Sequence, residues 1–220
     1  MAADAYIDEL ERYGAVGEQM SFDHLTSPDT PAPSPPTRPA RKSPPADEPR
    51  TPLVTGRHQD VRLYLTLLLK TFVEMTDAGL VRDAPFGLQT ESGLRIDPDV
   101  IFVANASLDR VHESYVEGPP DIVVEVCSKA SSAADRGDKF VAYETIGVRE
   151  YWLVDPVRQL VNMFHLGPDG CYDEFRPDTA GRLRSRVLTG LVLDMDPLWR
   201  RVLPTTAEVL DAVQKMVDKQ

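Results

Sequence analysis

The amino-acid sequence predicts a mixed α/β fold, and three stretches carry that prediction. Residues 57–77 repeat apolar side chains at helical spacing, through Val61, Leu65, Leu68, Phe72 and Met75. The run "DIVVEVC" at 121–127 is a strand apolar on both faces, which suits a sheet covered on both sides. A helical stretch separates it from a second strand, "EYWLV" at 150–154. Together they form a βαβ unit, whose two strands are parallel and joined by a right-handed crossover.

Each element follows from its residues. Residues 4–15 suit a short helix with Tyr6, Ile7, Leu10 and Tyr13 on one side. Residues 27–52 hold ten of the 19 prolines and form a Pro/Ser/Ala linker that cannot build a packed core. The helix 57–77 follows, with Gly79 where a C-terminal glycine belongs. Short strands are expected at 85–90, 93–96 and 99–103, then at 121–127 after the loop "HESYVEGPP". The second helix spans 132–146, with Ser131 or Ser132 as its N-cap, Asp135 in its first turn and Gly147 ending it. Strands at 150–154, 160–166 and 172–176 are joined by turns around Asp155-Pro156 and Gly167-Pro168-Asp169-Gly170. "LVLDM" reads as a last short strand, and 206–218 as a C-terminal helix with Val209, Leu210, Val213 and Val217 inward. The organisation is a tail over 1–56, a domain over 57–204 and a C-terminal helix over 205–220 packed on or extending from it.

Composition bounds the function. A chain of 220 residues with 42% apolar content supports one domain with a core, plus spare length. It has no apolar run of about 18 residues, so no membrane span is expected. The start "MAADAYIDELERYG" lacks the basic and apolar regions of a secretion signal. With Cys127 and Cys171 as the two cysteines, a reducing, cytoplasmic setting is expected. His24, His58, His112 and His165 are scattered, with no zinc spacing. The net charge is −11, of which residues 1–56 carry −4, so the acidity is not confined to the tail. Such a balance disfavours broad attraction to nucleic acid and leaves room for a small local basic cleft. It also fits a protein that collects divalent cations, or one that is simply kept soluble.

One residue does not belong in its surroundings. Glu125 sits among Ile122, Val123, Val124, Val126 and Cys127, where an unpaired carboxylate costs several kcal/mol. Alternation places Asp121, Val123, Glu125 and Cys127 on one face of the strand. Asp99 follows Pro98 at the entry of the neighbouring strand. Two carboxylates so placed repel unless a cation lies between them, and Mg²⁺ (or Mn²⁺) needs only one or two protein carboxylates. Lys129 and Lys139 are the candidates to act on water or to offset phosphate charge. Arg136, Lys139 and Tyr143 fall at i, i+3 and i+7, on one helical face. Plainer readings stand beside these. Asp99 is also an ordinary strand-start residue, and Glu125 could pair with Arg136 or Lys139 in a buried ion pair. Tyr143 and Cys127 suit a core, His58 suits a helix N-terminus and Asp155 a turn.

Several blocks then resemble a known family. These are Pro98-Asp99-Val100; Pro120-Asp121-Ile122-Val123-Val124-Glu125-Val126; Asp135-Arg136 with Lys139 and Tyr143; Gly147-Val148-Arg149-Glu150-Tyr151-Trp152; and Val154-Asp155-Pro156. They resemble the Uma-type restriction endonucleases, a branch of the PD-(D/E)XK nuclease superfamily, over roughly residues 57–200. The resemblance implies a restriction-endonuclease-like core: a central mixed sheet flanked by helices, in α-β-β-β-α-β order. It makes Asp99 and Glu125 the two catalytic, metal-binding acids. The superfamily lysine usually stands where this chain has Cys127, and Lys139 matches the helix lysine that takes its place. Tyr143, Arg136, Asp121 and His58 are the supporting residues. Relatives often begin with a strand pair, and here that region is proline-rich. The implied activity is Mg²⁺-dependent endonucleolytic hydrolysis of DNA phosphodiester bonds, with a homodimer suited to cutting two strands. The alternative is a non-catalytic module on the same scaffold that regulates or binds a protein partner, through the N-terminal arm.

Overall fold

The computed structural model describes residues 55–90, 93–127 and 135–219, with side chains in the last stretch from residue 137 onward. The readings for 4–15 and 27–52, the N-caps Ser131 and Ser132, Lys129, and the side chains of Asp135 and Arg136 lie outside the described residues.

Helix α1 (Gly56–Thr76) starts where expected, because the Thr55 hydroxyl accepts the His58 N–H at 3.2 Å. Its apolar stripe buries Val61, Leu65, Leu68, Leu69, Phe72 and Val73. It ends at Asp77, which adopts the left-handed conformation at φ 49° and returns its N–H to the Val73 carbonyl. The predicted glycine cap is therefore corrected. Gly79 instead opens β1 (Gly79–Asp83), at φ 152°, where a Cβ would meet the Val103 carbonyl oxygen at 2.1 Å. Only glycine lets β1 lie this close to its neighbour.

The strands that follow are β2 (Gly87–Gln89), β3 (Arg95–Ile96), β4 (Val100–Ala104), β5 (Tyr115–Glu117) and β6 (Ile122–Val126). A π-helical turn (Asp135–Lys139) leads into α2 (Phe140–Ile146). Then come β7 (Glu150–Asp155), β8 (Leu160–Leu166), β9 (Tyr172–Phe175), β10 (Arg182–Arg184), β11 (Val192–Asp194) and α3 (Thr206–Val217). Strands β1, β5 and β10 were not expected from the sequence, and the predicted strands at 85–90 and 93–96 shrink to β2 and β3.

The central sheet is mixed and six-stranded, in the order β1-β4-β6-β7-β8-β9. The one parallel pair in it is β6–β7, joined by the α2 crossover as the βαβ pattern predicts. Two cores cover its faces. On one, α1, α3 and the β10–β11 hairpin enclose Phe102, Val124, Val126, Trp152 and Met163. On the other, α2 and the small β3-β2-β5 sheet cover Ile101, Val123, Cys127, Tyr151 and Leu153. Helix α3 carries the capping box its sequence allows: the Thr205 hydroxyl takes the Glu208 N–H, and the Glu208 carboxylate takes the Thr205 N–H. Neither cysteine forms a disulfide, and no helix among the described residues is long and apolar enough to cross a membrane.

Candidate active site

All five residues of β6 are buried, and Glu125 among them is 3% exposed. Its Oε1 accepts from the Lys139 ammonium at 2.7 Å and from the Tyr143 hydroxyl at 2.6 Å. Burial, the largest influence, pushes its carboxyl from 4.5 up to about 7. The Lys139 charge pulls it down, the Asp99 charge pushes it up, and the two hydrogen bonds pull it down. A buried acid so poised near neutrality has the character of a working site.

Asp99 reaches the same spot from the next strand. Strands β4 and β6 pair antiparallel with Val100 opposite Val124, so one further step of the register sets Asp99 across from Glu125. The buried Pro98 before it has no N–H to lose at the strand start. Asp99 Oδ2 accepts the Val126 N–H at 2.7 Å, which fixes the carboxylate against the carbonyl end of β6. Its Oδ1 faces α1, with His58 Nε2 at 3.3 Å and the Arg62 guanidinium at 4.0 Å. His58 is buried, and its Nδ1 has no hydrogen-bond partner among the described residues.

Lys139 and Tyr143 come from the crossover. Lys139 closes the π-helical turn and Tyr143 stands one turn later in α2. A seven-residue helix is too short to persist on its own. Packing holds it: Phe140 meets Phe164 at 5.0 Å and Tyr172 at 5.3 Å, and Tyr143 meets Tyr151 at 5.1 Å. The turn therefore aims Lys139 at Glu125 from a fixed base. A π-turn instead of the predicted α-helix is itself a feature found often at functional sites. It also changes the angular relation of Arg136 to Lys139 that a regular i, i+3 spacing implies.

The structure thus brings Asp99, Glu125, Lys139, Tyr143 and His58 together. It does not bring Asp121 there, and the expectation that Asp121 supports the site is corrected. Asp121 lies four residues before Glu125, roughly 13 Å along the strand. One of its oxygens accepts the Ala104 N–H at 2.8 Å and the other the Arg149 guanidinium at 3.0 Å. It is a clamp between β4 and the start of β7. Cys127 is buried in the core under α2, as its plainer sequence reading expects. Asp155 accepts the N–H groups of Val157 and Arg158, as a turn former does. Arg62 was missed. The available signal was its position one turn after His58, on the same side of α1.

The donor set fits a hard divalent cation. Asp99 and Glu125 offer carboxylate oxygens, the ligands Mg²⁺ prefers, and Mg²⁺ asks for only one or two from the protein. Glu125 Oε2 makes no hydrogen bond among the described residues, and the mutual repulsion of the two acids is what a cation would relieve. The described residues hold no group of three or more His, Cys, Asp or Glu placed for a metal ion, so a closed zinc-type cage is not what this geometry resembles.

Comparison with known proteins agrees with the architecture. The fold is similar to that of a crystal structure titled as a putative nuclease belonging to DUF820, from Anabaena variabilis ATCC 29413. The TM-score is 0.55 at 17% identity, covering 67% of this chain and 83% of that one. At that identity the likeness speaks to the fold alone: a central mixed sheet flanked by helices. No curated protein matches the chain. Residues 48–196 match Uma2, described as "Putative restriction endonuclease", and the chain belongs to that family.

Proposed function

We propose that the protein is an endonuclease that hydrolyses DNA phosphodiester bonds with Mg²⁺ or Mn²⁺ held by Asp99 and Glu125. One observation carries the reading. Glu125 is a buried carboxylate facing a second acid, and among the described residues its hydrogen bonds come from the Lys139 and Tyr143 side chains and none from the backbone. Membership of the Uma2 family supports the nuclease class.

When bound, the cation supplies positive charge against the phosphate and acidifies water near it. The chain's own residues set the stage for it. The Val126 N–H fixes Asp99, and Lys139 with Tyr143 fixes Glu125, so the acid pair is held in place before substrate arrives. The Lys139 charge and its hydrogen bond favour the ionised form of Glu125 that metal binding requires. Lys139 is also partly exposed, which lets its ammonium meet an incoming phosphate or orient the attacking water. Arg62 adds a second cation beside the acids. These two side chains supply a local positive field in a chain whose net charge is −11. The buried His58 backs Asp99 from α1 as a positioning group.

Plasmid nicking in Mg²⁺ or Mn²⁺ tests the assignment. The wild type converts supercoiled DNA to open circles. Glu125→Ala and Lys139→Ala lower that rate by about a hundredfold or more. Equal nicking by all three proteins overturns the reading.

A further inference from the structure

A cavity lies away from the acid pair, between α1, α3 and the β10–β11 hairpin, and measures about 500 Å³. Leu68, Val192, Val209 and Met216 form its apolar wall, and the volume is typical of small-molecule sites. Tyr64 lines it and is 8% exposed. The Tyr64 hydroxyl forms no hydrogen bond among the described residues and is not sealed from solvent, so it opens onto the cavity. Burial, then the Asp194 charge, pushes that hydroxyl up to about 12, so it stays a protonated donor.

The charges around the cavity are unevenly committed. Its two acids are engaged: Asp194 accepts the Asp196 N–H at 3.1 Å, and Glu208 accepts the Thr205 N–H and hydroxyl at 2.8 and 2.9 Å. Three of its bases are engaged as well, Arg182 and Arg184 with Asp178 and Lys215 with Asp211. Arg200 and Lys219 also line the cavity; neither forms a close ion pair among the described residues, although the Arg200 charge acts on the Glu208 carboxyl and the Tyr64 hydroxyl.

We propose that this cavity binds a small apolar molecule carrying one anionic group, its apolar body against Leu68 and Met216 and its anion held by Arg200 and Lys219. The Tyr64 hydroxyl donates to a polar atom of the same ligand. The site shares no side chain with the acid pair, so it stands or falls independently of the nuclease reading.

Two fluorescent probes that differ by one charge test this on the full chain. Anilinonaphthalene sulfonate carries a sulfonate, and N-phenyl-1-naphthylamine has the same aromatic body without it. The sulfonate probe is expected to saturate a single site about tenfold more tightly than the neutral one, as a charge-assisted contact implies. Arg200→Gln combined with Lys219→Gln is expected to remove that preference while leaving the neutral probe's affinity unchanged. Tyr64→Phe weakens the sulfonate probe several-fold, with circular dichroism showing the fold intact. Glu125→Gln leaves both titrations as they are. Absence of saturable binding, equal affinity for the two probes, or a preference that survives in the Arg200/Lys219 double variant overturns the proposal.

Discussion

Two buried glutamates sit on adjacent parallel strands, and they are handled in opposite ways. Glu150, fully buried at the start of β7, receives the Trp152 indole N–H at 2.7 Å on one oxygen. Its other oxygen receives the N–H groups of Arg186 and Val187, at 2.8 and 3.2 Å. Its donors are rigid and need no cation, so it works as a tie between the sheet and the loop after β10. Glu125, near the end of β6, has a lysine, a tyrosine and a facing acid. Burial alone therefore does not mark a functional carboxylate. What marks it is the kind of partner: a packed indole and two backbone N–H groups make a joint, whereas a lysine, a tyrosine and a second acid surround a carboxyl raised to about 7.

The same conservative change at both positions should separate the two roles most widely. Glu150→Gln replaces an acceptor oxygen by an NH₂ that faces existing donors. It should cost about 4 kcal/mol of stability, because each orphaned buried polar group costs about 1–3 kcal/mol. Glu125→Gln keeps an acceptor for Lys139 and Tyr143 and removes a buried charge. Without metal at pH 5, where the folded wild type keeps this carboxyl mostly neutral, it should stay within about 1 kcal/mol of the wild type. Urea unfolding of both variants reads the difference. A Glu125→Gln loss as large as that of Glu150→Gln would make Glu125 a joint as well, and dissolve the contrast.

The second effect is a pH dependence that Glu125 should generate. The Glu125 carboxyl is raised from 4.5 to about 7, so between those values the folded state keeps a proton that the unfolded chain has released. Its stabilising contribution is complete below about pH 4.5 and is lost as pH rises through 7. The full shift corresponds to about 3 kcal/mol. Metal-free protein should therefore lose stability between pH 5 and pH 8 by up to that amount. Glu125→Gln should lack the decline, and Mn²⁺ should offset it by favouring the ionised form. A decline of the same size in Glu125→Gln would assign the effect to another group.

How much of this was legible in the sequence depended on how much chain carried each signal. Helix α1 spans 21 residues and α3 twelve, long enough for apolar spacing to declare itself. Strand β6 declared itself through five apolar neighbours around one acid. Strand β10, Arg182-Leu183-Arg184, has one apolar residue, and β5 has three residues inside a polar loop, so neither had a period to read. Strand β1 was hidden because Gly79 reads equally well as a helix cap or as a strand glycine, and only the 2.1 Å approach to Val103 decides it. In the site, Glu125 was legible as a misfit in its surroundings, and Asp99 through its place after Pro98 at the entry of the neighbouring strand. Asp121 misled because alternation reports the face of a strand and says nothing of distance along it. Arg62 was missed because an arginine one turn from a helical histidine is ordinary until a carboxylate is found beside it. The π-turn was invisible because five residues cannot distinguish one helical pitch from another.

The smallest effect concerns the hydroxyl that completes the contrast. Tyr143 lowers the Glu125 value by donating to Oε1 at 2.6 Å, and no backbone group among the described residues shares that task. Tyr143→Phe keeps the ring against Tyr151 and removes the donor. Losing one hydrogen bond to a charged group in a site that retains Lys139 should cost about 1 kcal/mol, which raises the Glu125 carboxyl by about 0.7 pH unit. Ionisation then begins at higher pH. The pH midpoint of Mn²⁺ binding, followed by calorimetry, should move upward by that amount with the high-pH affinity little changed. A midpoint that does not move would mean that Lys139 alone sets the charge of Glu125. A midpoint that moves downward would place the tyrosine proton on the neutral form of the acid and reverse the assigned direction of help.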